Sequence, residues 1–326
     1  MAEACEPMAP SIADDVEEQF ELCGVSTPHL QSRALVERRM AVPGKDAHPI
    51  AGTRRLALGR FLRHLLSAIA HGCGGTIRTD VLQQVWFDSM HMCDILAARG
   101  LNFAHHATSH ATAVLRILWK MRDATLTLPS NHLSKLTEVL WKHGMAVQPV
   151  LPEDINSAES RILFCLGWQV WLPSLHWWLA TFFSRLRVLT KQQPANREES
   201  EFEAVMTQMW QRSYTCSLAV VMHVASLGQS APRLSATGLL GLCCVRAGLL
   251  QLHDVCPERL GAPEWEGVYA RAMGTVPAFR AGSRVANAAQ IVQAATGSSR
   301  DAIRGACWHV ALALSDACPA GAQETV

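Results

Sequence analysis

Apolar residues recur along this chain at the three- and four-residue spacing of a helix face, and almost nowhere in the alternating pattern of a half-buried strand. The spacing predicts helices near 28–40 (Leu30, Leu35, Val36), 53–71, 79–99 (Val81, Val85, Met92, Cys93, Leu96) and 104–122 (Ala111, Val114, Leu115, Leu118). A fifth helix is expected from Ser130, read as its N-cap, to His143-Gly144. A sixth is expected from Pro152-Glu153-Asp154, whose acids suit a helix N-terminus. The Gly-rich turn His71-Gly72-Cys73-Gly74-Gly75, Gly100 and Pro173 supply the punctuation. Residues 191–203 are the most polar internal stretch and read as a loop leading into a helix. Helices are then expected near 202–227, 232–250, 263–274, 278–296 and 299–317. The 232–250 segment is apolar nearly all round, as suits a helix at the centre of a bundle. Residues 1–27 read as an acidic, irregular, mobile tail. The expected architecture is therefore all-α: a tail, a short N-terminal helix, and two consecutive helical units over 28–172 and 173–326.

A length of 326 residues fits two such units. The formal net charge of +1 argues against a chain held on phosphate backbones, so nucleic acid is not an expected partner. Residues 162–184 carry no Asp, Glu, Lys or Arg, which raises the possibility of a membrane span. However, Gly167, Gln169, Pro173, Ser174 and His176 interrupt the stretch. Trp171-Leu172-Pro173-Ser174 reads as a break followed by a new helix start, so two helices meeting in a core are expected and no membrane. The eleven cysteines include no C-x-x-C pair, and there is neither a secretory segment nor an N-x-S/T sequon. A reducing location, nucleus and/or cytoplasm, follows as the expectation.

The chain has no P-loop, no G-x-S-x-G, no H-E-x-x-H and no G-x-G-x-x-G. His106 and His110 stand one turn apart, but no carboxylate or Cys nearby in sequence completes a metal site, so no metal and no cofactor are expected. Cys243-Cys244 reads as packing on a buried helix. Two charges stand out. Glu159 falls on the apolar stripe of the sixth helix (Ile155, Ile162, Leu163), where a carboxylate is costly unless paired. Lys120 follows the apolar run ending in Ile117-Leu118-Trp119, where it could simply cap its helix.

The order of these features resembles the cyclin box. Arg54-Arg55-Leu56-Ala57-Leu58-Gly59-Arg60-Phe61-Leu62 resembles the first box helix, with Arg55 at the family's arginine. Met90-His91-Met92-Cys93-Asp94-Ile95-Leu96 is similar to the end of the second, with Asp94 at the aspartate and Ile95 replacing an arginine. Ala111 to Lys120 looks like the third helix, ending in the family's lysine. Ala158-Glu159-Ser160-Arg161-Ile162-Leu163-Phe164-Cys165-Leu166-Gly167-Trp168, followed by Leu172-Pro173-Ser174, is similar to the fifth helix and is the most specific match. Residues 229–250 are similar to a helix of a second cyclin fold.

The resemblance covers about 28–274. It implies two consecutive five-helix cyclin-like bundles and no catalytic activity of the chain's own. It implies a cyclin-dependent protein kinase as partner, with kinase substrates or inhibitors as further partners. It places the kinase contacts at Lys120 and Glu159, and structural box positions at Arg55, Asp94, Leu163, Leu166, Trp168 and Pro173. Arg54, Leu58 and Phe61 are the candidates for a substrate-docking patch. Where the family usually carries acidic residues after the lysine, this chain has Met121-Arg122. That departure keeps open a cyclin-fold adaptor or transcription-related scaffold without kinase activation.

Overall fold

The computed structural model describes residues 18–40, 50, 52–72, 77–122, 128–171, 173–191, 199–224, 237–255, 290, 292 and 293. They are all-α, with no strand among them. The order is α1 (Thr27–Met40), α2 (Gly52–Gly72), α3 (Thr79–Ala98), α4 (Phe103–Arg122), α5 (Ser130–Lys142), α6 (Pro152–Cys165), α7 (Leu175–Lys191), α8 (Glu199–Val224) and α9 (Thr237–Val255). The helices expected near 263–274 and 299–317, and most of 278–296, lie outside the described residues, as do residues 1–17 of the expected tail.

Helix ends follow the local chemistry. Gly100 takes a left-handed φ of 95°, which lets Leu101 N–H reach Leu96 O at 2.9 Å and Gly100 N–H reach Ala97 O at 3.1 Å. This paired closure satisfies the last carbonyls of α3. Pro152 opens α6 with Glu153 and Asp154 in its first turn. Ser130 is not the expected N-cap: it is the first helical residue of α5, and Pro129 precedes it without a side-chain cap. The expected loop at 191–203 is shorter than its polarity suggests, because α8 already begins at Glu199. Between Cys165 and Leu175 the chain leaves the helical path, so the uncharged stretch is divided between two helices. No helix among the described residues is long and apolar enough to cross a membrane.

Helices α2 to α6 pack on one another, as do α7, α8 and α9; α2 meets α8 and α3 meets α7 across the two groups. In α9, Leu240, Leu242, Cys243, Cys244, Val245 and Leu249 are all buried, as expected for a central helix. The close seam between α8 and α9 depends on Gly248, where an added Cβ would stand 2.7 Å from the backbone nitrogen of Ser213.

The expected tail needs correction at its C-terminal end. Residues 18–22 are helical, and Phe20 is buried beneath the Arg185 guanidinium of α7 at 4.1 Å from the ring centroid. Val25 and Ser26 are buried too. An aromatic and a valine among the acids are enough to bring this segment onto the core.

One cation gathers three helix ends. Arg99, the C-cap of α3, donates to Cys165 O at the end of α6 at 3.0 Å and to Met40 Sδ at the end of α1 at 3.0 Å.

Candidate functional site

Helices α4 and α6 pack side by side, which brings the last turn of α4 against the middle of α6. There Lys120 Nζ donates to both oxygens of Glu159, at 2.9 and 3.0 Å. The two groups differ in exposure: the Lys120 side chain is 49% exposed and that of Glu159 only 13%. Glu159 is also held from beneath by Arg116 Nη1 at 3.1 Å. Arg116 is fixed in turn by Leu128 O at 2.9 Å and Asn156 Oδ1 at 2.8 Å. Glu159 thus sits on the apolar stripe without being stranded there, because two cations meet one carboxylate.

The arrangement has a direction. An ammonium carries three N–H donors, and both bonds of Lys120 go to one carboxylate, so donor capacity remains on its exposed side. Glu159 is largely enclosed and already accepts three bonds. Lys120 is therefore the outward-reaching group, and Glu159 with Arg116 is its support.

On the flank of α4 away from Lys120 lies a groove of about 410 Å³, with Leu118, Met121 and Arg122 of α4 facing Asp88 and Met92 of α3 and Trp171 and Trp177 beyond. Arg122 Nη2 donates to Asp88 Oδ2 at 2.6 Å. Burial pushes the Asp88 carboxyl above its ordinary pKa, and the hydrogen bonds from Ser174 and Arg122 work against that rise. Ser174 also accepts the Trp177 N–H at 3.3 Å, which caps the start of α7. The residue that departs from the cyclin pattern, Arg122, is thus matched by an acid of its own chain.

Arg55 and Asp94 also meet, but in the interior. Arg55 Nε and Nη2 donate to the two oxygens of Asp94 at 2.8 and 2.7 Å, and Nη1 donates to Val221 O of α8. Burial pulls the Arg55 pKa down, yet the charge and hydrogen bonds of Asp94 outweigh it and leave the group raised and charged. This pair joins α2, α3 and α8. Beside it His91 is held down to about 4, chiefly by burial.

Of the remaining expected positions, Leu166 and Pro173 are buried and Leu163 packs half-buried against the core. Trp168 is not a packing residue: it is 72% exposed and left-handed, with φ 65° directly after Gly167 at 58°. The chain turns out of α6 there and carries the indole outward. Arg54, Leu58 and Phe61 do not form one surface patch. Arg54 is exposed, but Leu58 and Phe61 point into the core, on the same helix face as Leu62 and Leu65.

His106 is exposed and lies at a kink in α4, while His110 is buried. Burial holds His110 down to about 4. Among the described residues no group of three His, Cys, Asp or Glu side chains is placed to hold a metal.

Arg116 and Asp88 are site residues that sequence reasoning missed. Each had a signal: Arg116 interrupts the apolar run of α4 one turn before Lys120, and Asp88 stands between Phe87 and Ser89 in a helix otherwise bound for the core. No protein-family model, no curated protein and no solved structure matches the chain.

Proposed function

We propose that the chain is a cyclin-like regulatory subunit that binds a cyclin-dependent protein kinase and favours its active conformation, with Lys120 and Glu159 at the polar centre of the binding face. The observation that carries this reading is the half-exposed Lys120, anchored on an enclosed Glu159. Such a lysine can donate to a main-chain carbonyl of another chain. In this reading the two helical groups correspond to two cyclin folds. The chain performs no chemistry itself. It acts by differential affinity: a subunit that binds only the active kinase conformation raises that conformation's population. The place of action is the nucleus and/or cytoplasm.

A second reading, a cyclin-fold adaptor without kinase activation, is favoured by Arg122. Its pairing with Asp88 puts a cation where the cyclin pattern carries acids.

Co-precipitation with a panel of cyclin-dependent kinases tests the first reading, comparing wild type with Lys120→Ala and Glu159→Ala. Loss of one partner of a charge pair that becomes desolvated on binding should weaken capture by about 2–5 kcal/mol. Lys120→Ala is the cleaner variant, because Glu159→Ala also strips Arg116 of its acid. Undiminished capture by Lys120→Ala would remove the site. Capture without any rise in kinase activity would favour the adaptor.

A further inference from the structure

Two cations one helical turn apart on α4 share a single acid. Arg116 and Lys120 stand in the i, i+4 relation, where like charges repel, and Glu159 of α6 is bonded to both. Its Oε2 accepts one bond from each, at 3.1 Å from Arg116 Nη1 and 3.0 Å from Lys120 Nζ. Its Oε1 accepts a second from Lys120 at 2.9 Å. The two cations are not equivalent. The Arg116 side chain is 14% exposed and is held at two further points, by Nε on Leu128 O and Nη1 on Asn156 Oδ1. Lys120 is half exposed, and among the described residues both bonds of its ammonium go to Glu159.

That inequality decides which group can let go. An enclosed carboxylate deprived of its only cation is strongly disfavoured. Glu159 is spared that state, because Arg116 still meets its charge when Lys120 gives up a bond. Arg116 cannot withdraw in the same way: its departure would also leave the Leu128 carbonyl and the Asn156 amide without their donor. Lys120 has solvent on one side and three donors to place. The guanidinium one turn below repels it and takes part of the charge that would otherwise hold it.

We infer that Arg116 is a positioning residue of the Lys120 face: it keeps Glu159 paired, so that Lys120 can turn a bond from Glu159 to a main-chain carbonyl of the partner. The inference rests on the reading of that face as a partner surface, and adds the group that makes Lys120 available to it.

The lysines of the chain are Lys45, Lys120, Lys135, Lys142 and Lys191, so the full-length protein labelled at the lysine ε-carbon gives few NMR signals, and Lys120→Ala assigns the one needed. In the free protein Arg116→Gln should slow the motion of the Lys120 ε-carbon, because its ammonium becomes the only cation on the enclosed acid. Kinase capture by Arg116→Gln should fall about tenfold, although Lys120 and Glu159 are both intact. In a Glu159→Gln background the same change should make no further difference, since Arg116 acts through that acid. Arg116→Lys keeps the cation without the planar fork, and should stay within about threefold of wild type in capture, with Lys120 as mobile as before. It decides the matter if Arg116→Gln does not fold, because a loss beyond about threefold there would overturn the inference. So would a folded Arg116→Gln protein whose Lys120 is equally or more mobile, or a loss that adds in full to that of Glu159→Gln. Capture that needs Lys120 but ignores Arg116→Gln would remove this inference alone. No kinase captured by any form, with Lys120 slowed in Arg116→Gln, would remove the kinase reading and uphold the part played by Arg116.

Discussion

Replacing Asp94 by asparagine preserves the shape of the side chain and removes its charge. The carboxylate it removes accepts two hydrogen bonds from Arg55 in the interior, and the third Arg55 contact is a carbonyl on α8. Both side chains are buried, so water cannot replace the lost partner without opening the seam between α2, α3 and α8. Stranding one member of such a pair costs about 3–5 kcal/mol. That is a drop of roughly a hundredfold to several thousandfold in the folding equilibrium, against a typical total stability of about 5–15 kcal/mol. In urea, with a slope of about 3 kcal/mol per molar, the midpoint should fall by about 1 M or more. The companion variant Arg55→Met with Asp94→Leu removes both charges and should recover most of the loss. It should still fall short by about 1–3 kcal/mol, because the Val221 carbonyl is left unmet. An Asp94→Asn protein within about 1 kcal/mol of wild type, or single changes that simply add in the double, would refute the view that this pair joins the two helical groups.

Two further predictions concern the interior. His176 is buried in a ring of Phe87, Trp210 and Tyr214, with both ring nitrogens lacking a hydrogen-bond partner. Its pKa is held down to about 4 by burial first and then by Arg122, with Asp80 opposing. A histidine whose folded pKa is depressed takes up its proton only in the unfolded chain over the interval from about 6.5 down to about 4. The folded state therefore pays no protonation cost at this group above that window, and loses stability as pH falls through it, by roughly 3 kcal/mol at most. His176→Phe should raise stability by about 1–3 kcal/mol at neutral pH and flatten that part of the profile. A wild-type-minus-variant difference that does not change with pH would contradict it. Gly248→Ala should destabilise by about 1–3 kcal/mol in thermal melts, since the new methyl meets the Ser213 backbone. Gly59→Ala meets only the Met222 and Met90 thioethers at 3.4 and 3.5 Å, and should stabilise by up to about 1 kcal/mol.

The helices were legible because their stops are written in single residues: Gly100, Pro152 and the Pro173-Ser174 start each sit within a residue or two of an observed boundary. The meeting of Lys120 with Glu159 was legible as well. An acid on an apolar stripe has to find a cation, and the resemblance supplied the one at the end of α4. What the pattern could not show was depth. Spacing alone does not distinguish Arg116, which supports Glu159 from beneath, from the exposed Lys120 one turn later, nor Asp88 from a solvated helix acid. The same blindness produced the docking patch at Leu58 and Phe61, which share a helix with exposed Arg54 but are buried in the core. Trp168 was misjudged because its exposure follows from a left-handed turn that no periodicity encodes. Phe20 and Val25 were too few among acids to announce that their segment folds back.

Arg99 draws the far ends of three separate rods to a single point. Their closing turns should therefore loosen together, and amide exchange near Met40, Ala98 and Cys165 should accelerate in concert when that one side chain is shortened. The N-terminal rod also rests on Trp171 through Arg33, so its end and its middle are held by two different cations.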